Sequence, residues 1–297
     1  MTAALLLLLL AQSAAPQLEV ATTVSFTEGP AVDSQGNVYF TDITNSRIWK
    51  LTPAGGLSLY RDNANGANGL VVDLQDRLIA CEGAGGRKPR VTRTTLRSGE
   101  LEVLAEEYAG EPFDTPNDVT YDSQGRLYFT DLPGGAVYRI DAPGKLERLL
   151  ARPEIQSPNG LQISPDGKTF YLIEANQKAG GARLIRAYDI SQEGRLTNMR
   201  VHYNFFPGRS GDGMSIDEQG NLYVSAGLNR SRGTSETLDN NAGIYVISPA
   251  GKLLSFHPVP EDTITNNTFG GPDRKTLYIT AGKTLYKLRF SIPGLLR

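Results

Sequence analysis

The sequence predicts an all-β protein, a six-bladed β-propeller whose N-terminal strand joins the last blade. A repeat, its period and two incomplete copies at the chain ends carry this prediction. In each copy of the repeat, a polar residue precedes a turn, and a strand rich in Leu, Val, Tyr and Phe follows the turn. The copies begin at positions 28, 68, 117, 159, 212 and 267, at intervals of 40, 49, 42, 53 and 55 residues. Such a period is typical of a four-stranded propeller blade.

The six copies share their order of residue types more than their identities. They read EGPAVDSQGNVYFTD from Glu28, NGLVVDLQDRLIACE from Asn68, NDVTYDSQGRLYFTD from Asn117, NGLQISPDGKTFYLIE from Asn159, DGMSIDEQGNLYVSA from Asp212 and NTFGGPDRKTLYITA from Asn267. The chain also has 32 Gly and 17 Pro, as a protein of many short strands and turns requires. No linker or change of composition interrupts residues 16–297, so we expect them to form a single domain.

Both ends of the repeat region are incomplete. Residues 17–26 read as a strand that precedes the first copy, and the last copy has only residues 283–290 after its second strand. Because a propeller must join its ends, we expect the N-terminal strand to become the outer strand of the C-terminal blade. Blades then begin near residues 26, 64, 111, 154, 208 and 262.

The first fifteen residues are predicted to be a signal peptide. Residues 3–11 form an apolar run of nine residues, followed by small residues that fit a cleavage site near Ser13 or Ala15. A bilayer span takes about 20 apolar residues, so this run is too short to be one. We therefore expect a periplasmic or secreted protein without a membrane span. A disordered apolar tail is the alternative interpretation.

Charge and rare residues exclude several function classes. The formal net charge is −2 with both signs mixed along the chain, so no basic stripe offers a nucleic-acid footprint. Cys81 is the sole cysteine, which excludes an internal disulfide and a thiolate metal cluster, and its strand context predicts a packed thiol. His202 and His257 lie outside the leading positions of the repeat and read as ordinary strand or loop residues.

The leading residues of the six copies predict a cation site. A propeller aims this end of each blade at its central channel, and all six residues are oxygen donors: Glu28, Asn68, Asn117, Asn159, Asp212 and Asn267. Oxygen-only sites select hard cations such as Ca²⁺ or Mg²⁺. The two acids, Glu28 and Asp212, balance one divalent ion. The alternative is that these residues only start strands and bond the local backbone.

Several motifs together resemble one known family. FTEGPAVDSQGNVYFTD, TPNDVTYDSQGRLYFTD, SPNGLQIS, GDGMSIDEQGNLYVSAG and TFGGPDRKTLYITA are similar to the gluconolactonase, regucalcin (senescence marker protein) and luciferin-regenerating-enzyme family over residues 25–290. The resemblance implies a six-bladed propeller with one divalent cation in its channel. The ion most expected is Ca²⁺, and Mg²⁺, Mn²⁺ and Zn²⁺ are the alternatives. By motif, the implied ligands are Glu28, Asn117, Asn159 and Asp212. Bacterial gluconolactonases are the most similar members, including the ANGL motif around Asn68 and the Cys81-Glu82 pair.

Two positions depart from the family pattern. Regucalcin-like members have a substrate-contacting Arg where this chain has Thr115, and bacterial members often have His where this chain has Gly83. These departures leave the implied metal ligands intact and put the substrate in doubt. Three basic residues near the second position, Arg87, Lys88 and Arg90, either contact the substrate or form a solvated turn.

The predicted function is divalent-metal-dependent hydrolysis of a sugar lactone. The ion polarises the lactone carbonyl, Asp212 acts as general base, and Glu28 holds the ion. The residues expected to contact the substrate are Asn68, Asn117, Thr115, Glu82 and Asn267. Two alternatives stay open: a phosphotriesterase of the diisopropylfluorophosphatase type, and a non-catalytic sugar- or partner-binding propeller with a structural calcium.

Overall fold

The computed structural model describes residues 16–296. This part of the chain consists of β-strands joined by turns and loops and contains no α-helix. Accordingly, these residues include no helix that is long and apolar enough to cross a membrane. The predicted signal peptide, residues 1–15, lies outside the described residues and stays a prediction.

Six four-stranded antiparallel sheets form the blades. After β1 (Glu19–Thr23), blade 1 contains β2 (Thr27–Val32), β3 (Val38–Asp42), β4 (Arg47–Leu51) and β5 (Leu57–Arg61). Blade 2 contains β6 (Leu70–Val72), β7 (Arg77–Glu82), β8 (Arg90–Thr95) and β9 (Leu101–Ala105). The small hairpin of β10 (Glu107–Tyr108) and β11 (Glu111–Pro112) precedes blade 3, which contains β12 (Pro116–Tyr121), β13 (Leu127–Asp131), β14 (Ala136–Ala142) and β15 (Lys145–Ala151).

The second half of the chain repeats this arrangement. Blade 4 contains β16 (Pro158–Ile163), β17 (Thr169–Ala175), β18 (Arg183–Ile190) and β19 (Leu196–Asn204). Blade 5 contains β20 (Gly211–Ile216), β21 (Leu222–Ala226), β22 (Gly243–Ile247) and β23 (Leu253–Pro258). Blade 6 contains β24 (Ile264–Gly270), β25 (Thr276–Ala281) and β26 (Thr284–Arg289). The inner strands begin one to six residues after the predicted blade starts.

The N-terminal strand closes the ring as the sequence predicts. Strand β1 pairs antiparallel with β26, with Glu19 opposite Lys287 and Thr23 opposite Thr284. Blade 6 therefore has the order β1-β26-β25-β24, and its outer strand comes from the other end of the chain. Both the propeller fold and this mode of closure are confirmed.

The recurring Asp at the end of the inner strand forms the turn to the second strand. In blade 1, the Asp33 carboxylate accepts hydrogen bonds from the backbone N–H groups of Gln35 (3.0 Å) and Asn37 (2.8 Å) and from the Tyr39 hydroxyl (3.1 Å). Asp122 and Asp217 do the same in blades 3 and 5. An Asp that bonds its own backbone two residues on is typical of a turn. This Asp therefore has a structural role at the end of the blade away from the leading residues.

The hydrophobic core lies between neighbouring blades. A residue in the middle of each second strand has no exposed surface, and the six are Phe40, Ile79, Phe129, Leu172, Val224 and Ile279. Burying one such side chain contributes roughly 1.5–3 kcal/mol. Because both faces of each sheet are covered, the second strands read as near-continuous apolar runs, and the ring holds the inner strands in place.

Candidate active site

The leading residues lie at one end of the central channel. Glu28, Asn117, Asn159 and Asp212 are each the second residue of an inner strand, and Asn68 lies just before the shorter β6. A β-bulge follows at this point in blades 1, 3, 4 and 5. A β-bulge changes the direction in which nearby side chains point. The same local irregularity therefore directs four of the predicted residues into the channel.

In blade 6 the sequence alignment is wrong by two residues. The second residue of its inner strand is Thr265, whereas Asn267 occupies the position that Met214 has in blade 5. The cause is the turn, because the segment between the paired residues Phe269 and Leu277 is two residues longer than that between Ile216 and Leu222.

The Asn267 amide is fully engaged within the protein. Its oxygen accepts a hydrogen bond from the Ser215 hydroxyl, and its nitrogen donates to the Tyr223 carbonyl and to the Ser225 hydroxyl, both at 2.9 Å. The residue is buried. The prediction that Asn267 contacts substrate is therefore not supported, and its role is to join blades 5 and 6.

Glycine follows the leading residue in four blades because the inner strands converge there. A Cβ on Gly69 would lie 2.5 Å from the Asn117 carbonyl oxygen, and one on Gly160 would lie 2.5 Å from the Asp212 carbonyl oxygen. Only a residue without a side chain permits such a close approach. The two blades without glycine at this position are blades 3 and 6, which have Asp118 and Asn266.

Asp118 and Asn266 meet across the channel. The Asn266 amide donates a 2.8 Å hydrogen bond to the Asp118 carboxylate, and both side chains are buried. Blades 3 and 6 are opposite each other in a ring of six, so this bond crosses the channel axis. Asp118 and Asn266 each lie one residue beyond the leading position of their inner strand. Asp118 adds a third buried carboxylate that the sequence does not predict.

The three carboxylates perturb one another. Burial, followed by the charges of Asp212 and Asp118, raises the pKa of Glu28 well above its ordinary value. Burial and the charge of Asp212 raise the pKa of Asp118 to about 7, although the Asn266 bond opposes the rise. Burial also raises the pKa of Asp212. Like charges in a desolvated channel disfavour ionisation, so the cluster favours bound protons or a bound cation.

Arg209 is the buried cation of this cluster. Its guanidinium donates to the Asp212 carboxylate (2.5 Å) and to the backbone carbonyls of Ile264 (2.8 Å) and Gly227 (3.3 Å). The charge of Arg209 opposes the rise in the Asp212 pKa. One guanidinium offsets one of three carboxylates, so the other two require a proton or a cation. No sequence pattern marked this residue, which lies three positions before Asp212.

The predicted cation ligands are suited to hold an ion, because one of them has a buried oxygen without a hydrogen-bond partner. The Asn159 side-chain nitrogen donates to Asp212 at 2.7 Å, while the Asn159 oxygen is buried without a hydrogen-bond partner among the described residues. Such an oxygen normally has a partner, and a cation supplies one. In residues 16–296, no three His, Cys, Asp or Glu side chains form a metal-binding group. A cation bound here would therefore need amide oxygens among its ligands.

Glu82 is a structural residue rather than a substrate contact. Its carboxylate is completely buried and accepts hydrogen bonds from Arg90 (2.7 Å), Thr92 (2.7 Å), Asn65 (3.2 Å) and Arg61. A carboxylate has about four acceptor sites, so no site is free for a substrate. The prediction for Glu82 is not supported because the same buried acid holds neighbouring strands and loops together.

The nearby basic residues pair locally, as a solvated turn does. Besides Arg90, which pairs with Glu82, Lys88 pairs with Glu106 and Arg87 donates to the Ala84 carbonyl. The Thr115 hydroxyl donates to the Asp114 carbonyl at 2.8 Å and is half-buried. Its predicted contact with substrate stays a prediction.

The amides of Asn68 and Asn117 are available to a ligand. Within residues 16–296 the structure gives neither side chain a hydrogen bond, although the backbone carbonyl of Asn117 accepts one from Gly69 (2.8 Å).

Cys81 is a buried free thiol whose pKa is raised by burial, so the prediction of a packed thiol is confirmed.

Comparison with known proteins identifies the family. Residues 26–283 match the SMP-30/gluconolactonase/LRE-like region. The chain belongs to this family. A gluconolactonase from Zymomonas mobilis is 27% identical over 308 residues, covering 91% of this chain and 80% of the relative. A pentonolactonase from Haloferax volcanii is 26% identical over 272 residues, covering 88% of this chain and 83% of the relative. The resemblance inferred from the motifs is confirmed.

Solved structures agree with the fold. A gluconolactonase from Xanthomonas campestris has a TM-score of 0.78 at 27% identity, covering 94% of this chain and 90% of the other. A calcium-binding protein, regucalcin from Agrobacterium tumefaciens, has a TM-score of 0.74 at 19% identity, covering 94% and 95%. At that lower identity the second match shows the fold alone.

Proposed function

We propose that this family member hydrolyses a sugar lactone with the help of one divalent cation. The observation that carries the proposal is the set of oxygen donors at the channel end, where Asn159 donates to Asp212 while its own side-chain oxygen is buried without a partner among the described residues. Relatives named as lactonases support the enzyme class, including a 6-deoxy-6-sulfogluconolactonase from Pseudomonas putida at 25% identity.

Asp212 is the proposed general base. Its side chain is largely buried but still 17% exposed, so water can reach its carboxylate. Its two oxygens accept hydrogen bonds from Asn159 and Arg209, which fix the carboxylate orientation. In the metal-free protein, burial raises its pKa above that of an ordinary Asp, and a higher pKa makes a carboxylate a stronger base. Asp212 would take the proton of the attacking water.

Glu28, Asn117, Asn159 and Asp212 would hold the cation, with Ca²⁺ the expected ion for this hard oxygen set. When bound, the ion would supply Lewis acidity toward the lactone carbonyl oxygen. The acids Glu28 and Asp212 would balance its charge. Asn68 and Asn117 would orient hydroxyl groups of the substrate, since their amides are not used within the described protein.

A substrate panel with and without chelator tests the proposal. The protein should open glucono-1,5-lactone or galactono-1,4-lactone, lose this activity in chelator, and regain it with one divalent cation. Full activity after exhaustive metal removal would overturn the cation dependence. Turnover of a phosphotriester without lactone turnover would favour the phosphotriesterase alternative. Sugar or calcium binding without any turnover would favour a non-catalytic propeller.

Calcium should stabilise the metal-free protein. Binding to the folded state alone contributes about 2.7 kcal/mol at a hundredfold excess over Kd, or roughly 5 °C in Tm for a chain of this size. Glu28→Gln should weaken this rise more than Asn159→Ala, because Glu28 contributes a full charge and water can replace an amide oxygen. Differential scanning fluorimetry over a calcium titration measures both effects.

Glu193→Gln is the matched control, since this exposed acid lies in the turn between β18 and β19. The readout is the calcium-induced rise and not the absolute Tm, because removing a channel acid also changes the metal-free protein. A melting curve that calcium leaves unchanged at every concentration would show that the leading residues only line a wet channel.

A further inference from the structure

The loop of residues 227–242 lies on the same side of the ring as the leading residues. It connects β21 to β22, and connections between second and third strands return to the end where inner strands begin. Two points anchor it. The backbone N–H of Asn229 donates to the Asp262 carboxylate (2.9 Å), and the Ser235 carbonyl accepts from Arg183 (3.2 Å). Residues 230–234 therefore form an arc held at both ends.

Arg232 lies in the middle of this arc, and its partner Glu236 lies beside the segment that leads to Arg209 and Asp212. The backbone N–H of Thr237 donates to the Pro207 carbonyl (3.1 Å), and Thr237 forms a parallel bridge with Gly208. One end of its guanidinium donates a 2.8 Å hydrogen bond to Glu236, whose side chain is 2% exposed. Glu236 also accepts from the Thr234 hydroxyl. The buried acid thus fixes the direction of the Arg232 side chain.

Arg232 is the accessible cation of the pair near Asp212. Arg209 is 5% exposed and already donates to one carboxylate and two backbone carbonyls. The side chain of Arg232 is 27% exposed, and within residues 16–296 its guanidinium donates one hydrogen bond, to Glu236. The remaining N–H groups of its guanidinium are free to bind a ligand that enters the channel mouth.

We propose that Arg232 selects sugar lactones that carry a second, anionic group, such as a carboxylate, phosphate or sulfonate away from the reacting carbonyl. This inference rests on the proposed lactonase function and names its substrate class. A planar guanidinium matches the oxygens of such a group with two parallel hydrogen bonds. Glu28, Asp118 and Asp212 would otherwise repel an anion, so the cation at the mouth gives the anionic group a favourable place outside the cluster.

The test compares a neutral and an anionic substrate in matched variants. Glucono-1,5-lactone and its 6-phosphate ester are assayed at low ionic strength with wild type, Arg232→Gln, Arg232→Lys and the control Arg230→Gln, an exposed Arg on the same arc. Arg232→Gln should lower the ratio of kcat/KM for the phosphate ester to that for the neutral lactone by roughly ten- to hundredfold. Arg232→Lys should fall between, since it keeps the charge and loses the planar fork. The difference should shrink with added salt.

The outcomes separate this inference from the proposed function. An unchanged ratio in Arg232→Gln overturns the inference while lactonase activity stands. An equal fall in Arg230→Gln also overturns it, because the effect would then be the general charge of the loop. If wild type opens neither lactone with any divalent cation, the proposed function fails and the inference fails with it. Melting temperatures of the variants exclude unfolding as the cause of a change.

Discussion

Replacing Asp212 by Asn should lower kcat for lactone hydrolysis by roughly 10²–10⁴-fold while the protein stays folded. The amide cannot take a proton from water, whereas it keeps an oxygen that accepts from Arg209 and that can contact a cation. Metal binding should therefore weaken without disappearing. Initial rates on the lactone that the panel identifies, measured at saturating cation, give the effect on kcat.

Asp189→Asn is the control for this experiment. Asp189 is exposed in β18 and pairs with Arg200 on the surface, so its loss should leave turnover unchanged. The cation must be present at saturation in both variants, so that lost affinity is not read as lost chemistry. If Asp212→Asn retains wild-type kcat, Asp212 is not the general base, and the base must be sought among Asp118 and Glu28.

The repeat was sufficient to predict the fold because each blade uses the same residues for the same physical reasons. The Asp that ends an inner strand bonds its own turn, as Asp33 does, and the following strand is apolar because blades cover both of its faces. These requirements act within one blade, so they appear in every copy. The incomplete copies at the two chain ends predict the closure by β1.

Register was harder to predict than the existence of the blades. Alignment of the copies on their second strands predicts that Asn267 lies with the leading residues. The longer turn of blade 6 shifts the inner strand by two residues, and Thr265 takes that position. Sequence alone does not reveal where the inner strand ends and the turn begins. The hydrogen bonds of Asn267 to Ser215 and Tyr223 show the consequence of the shift.

The residues that the sequence did not reveal depend on contacts between blades. Asp118 stands where four other copies have glycine, so a column-by-column comparison of the repeats contained a signal for it. Arg209 and Arg232 had no such signal, because they lie outside the aligned core of the repeat. The prediction for Glu82 is not supported for a different reason. Its position in the repeat is typical of a functional residue, but its buried carboxylate forms ion pairs with Arg61 and Arg90.

The carboxylate cluster should make the metal-free protein less stable as the pH rises from about 4 to about 7. The ordinary pKa of Asp118 is 3.8, and in the folded protein it is about 7. Between these values the folded state binds the proton more tightly than the unfolded state, so stability falls as pH increases. About 1.4 kcal/mol corresponds to each pKa unit, so the loss from Asp118 reaches about 4 kcal/mol at most. Glu28 and Asp212 act in the same direction.

Asp118→Asn isolates this effect. The Asn side chain keeps an oxygen that accepts from Asn266, so the bond across the channel survives while the charge is removed. Urea unfolding in chelator should show the variant gaining stability over wild type as pH rises from 4 to 8. The histidines do not confound the difference, because the lowered pKa values of His202 and His257 act in both proteins. Equal slopes in the two proteins would mean that Asp118 is ionised without cost. Saturating calcium should reduce the wild-type loss, because a cation stabilises the charged cluster that pH alone leaves repulsive.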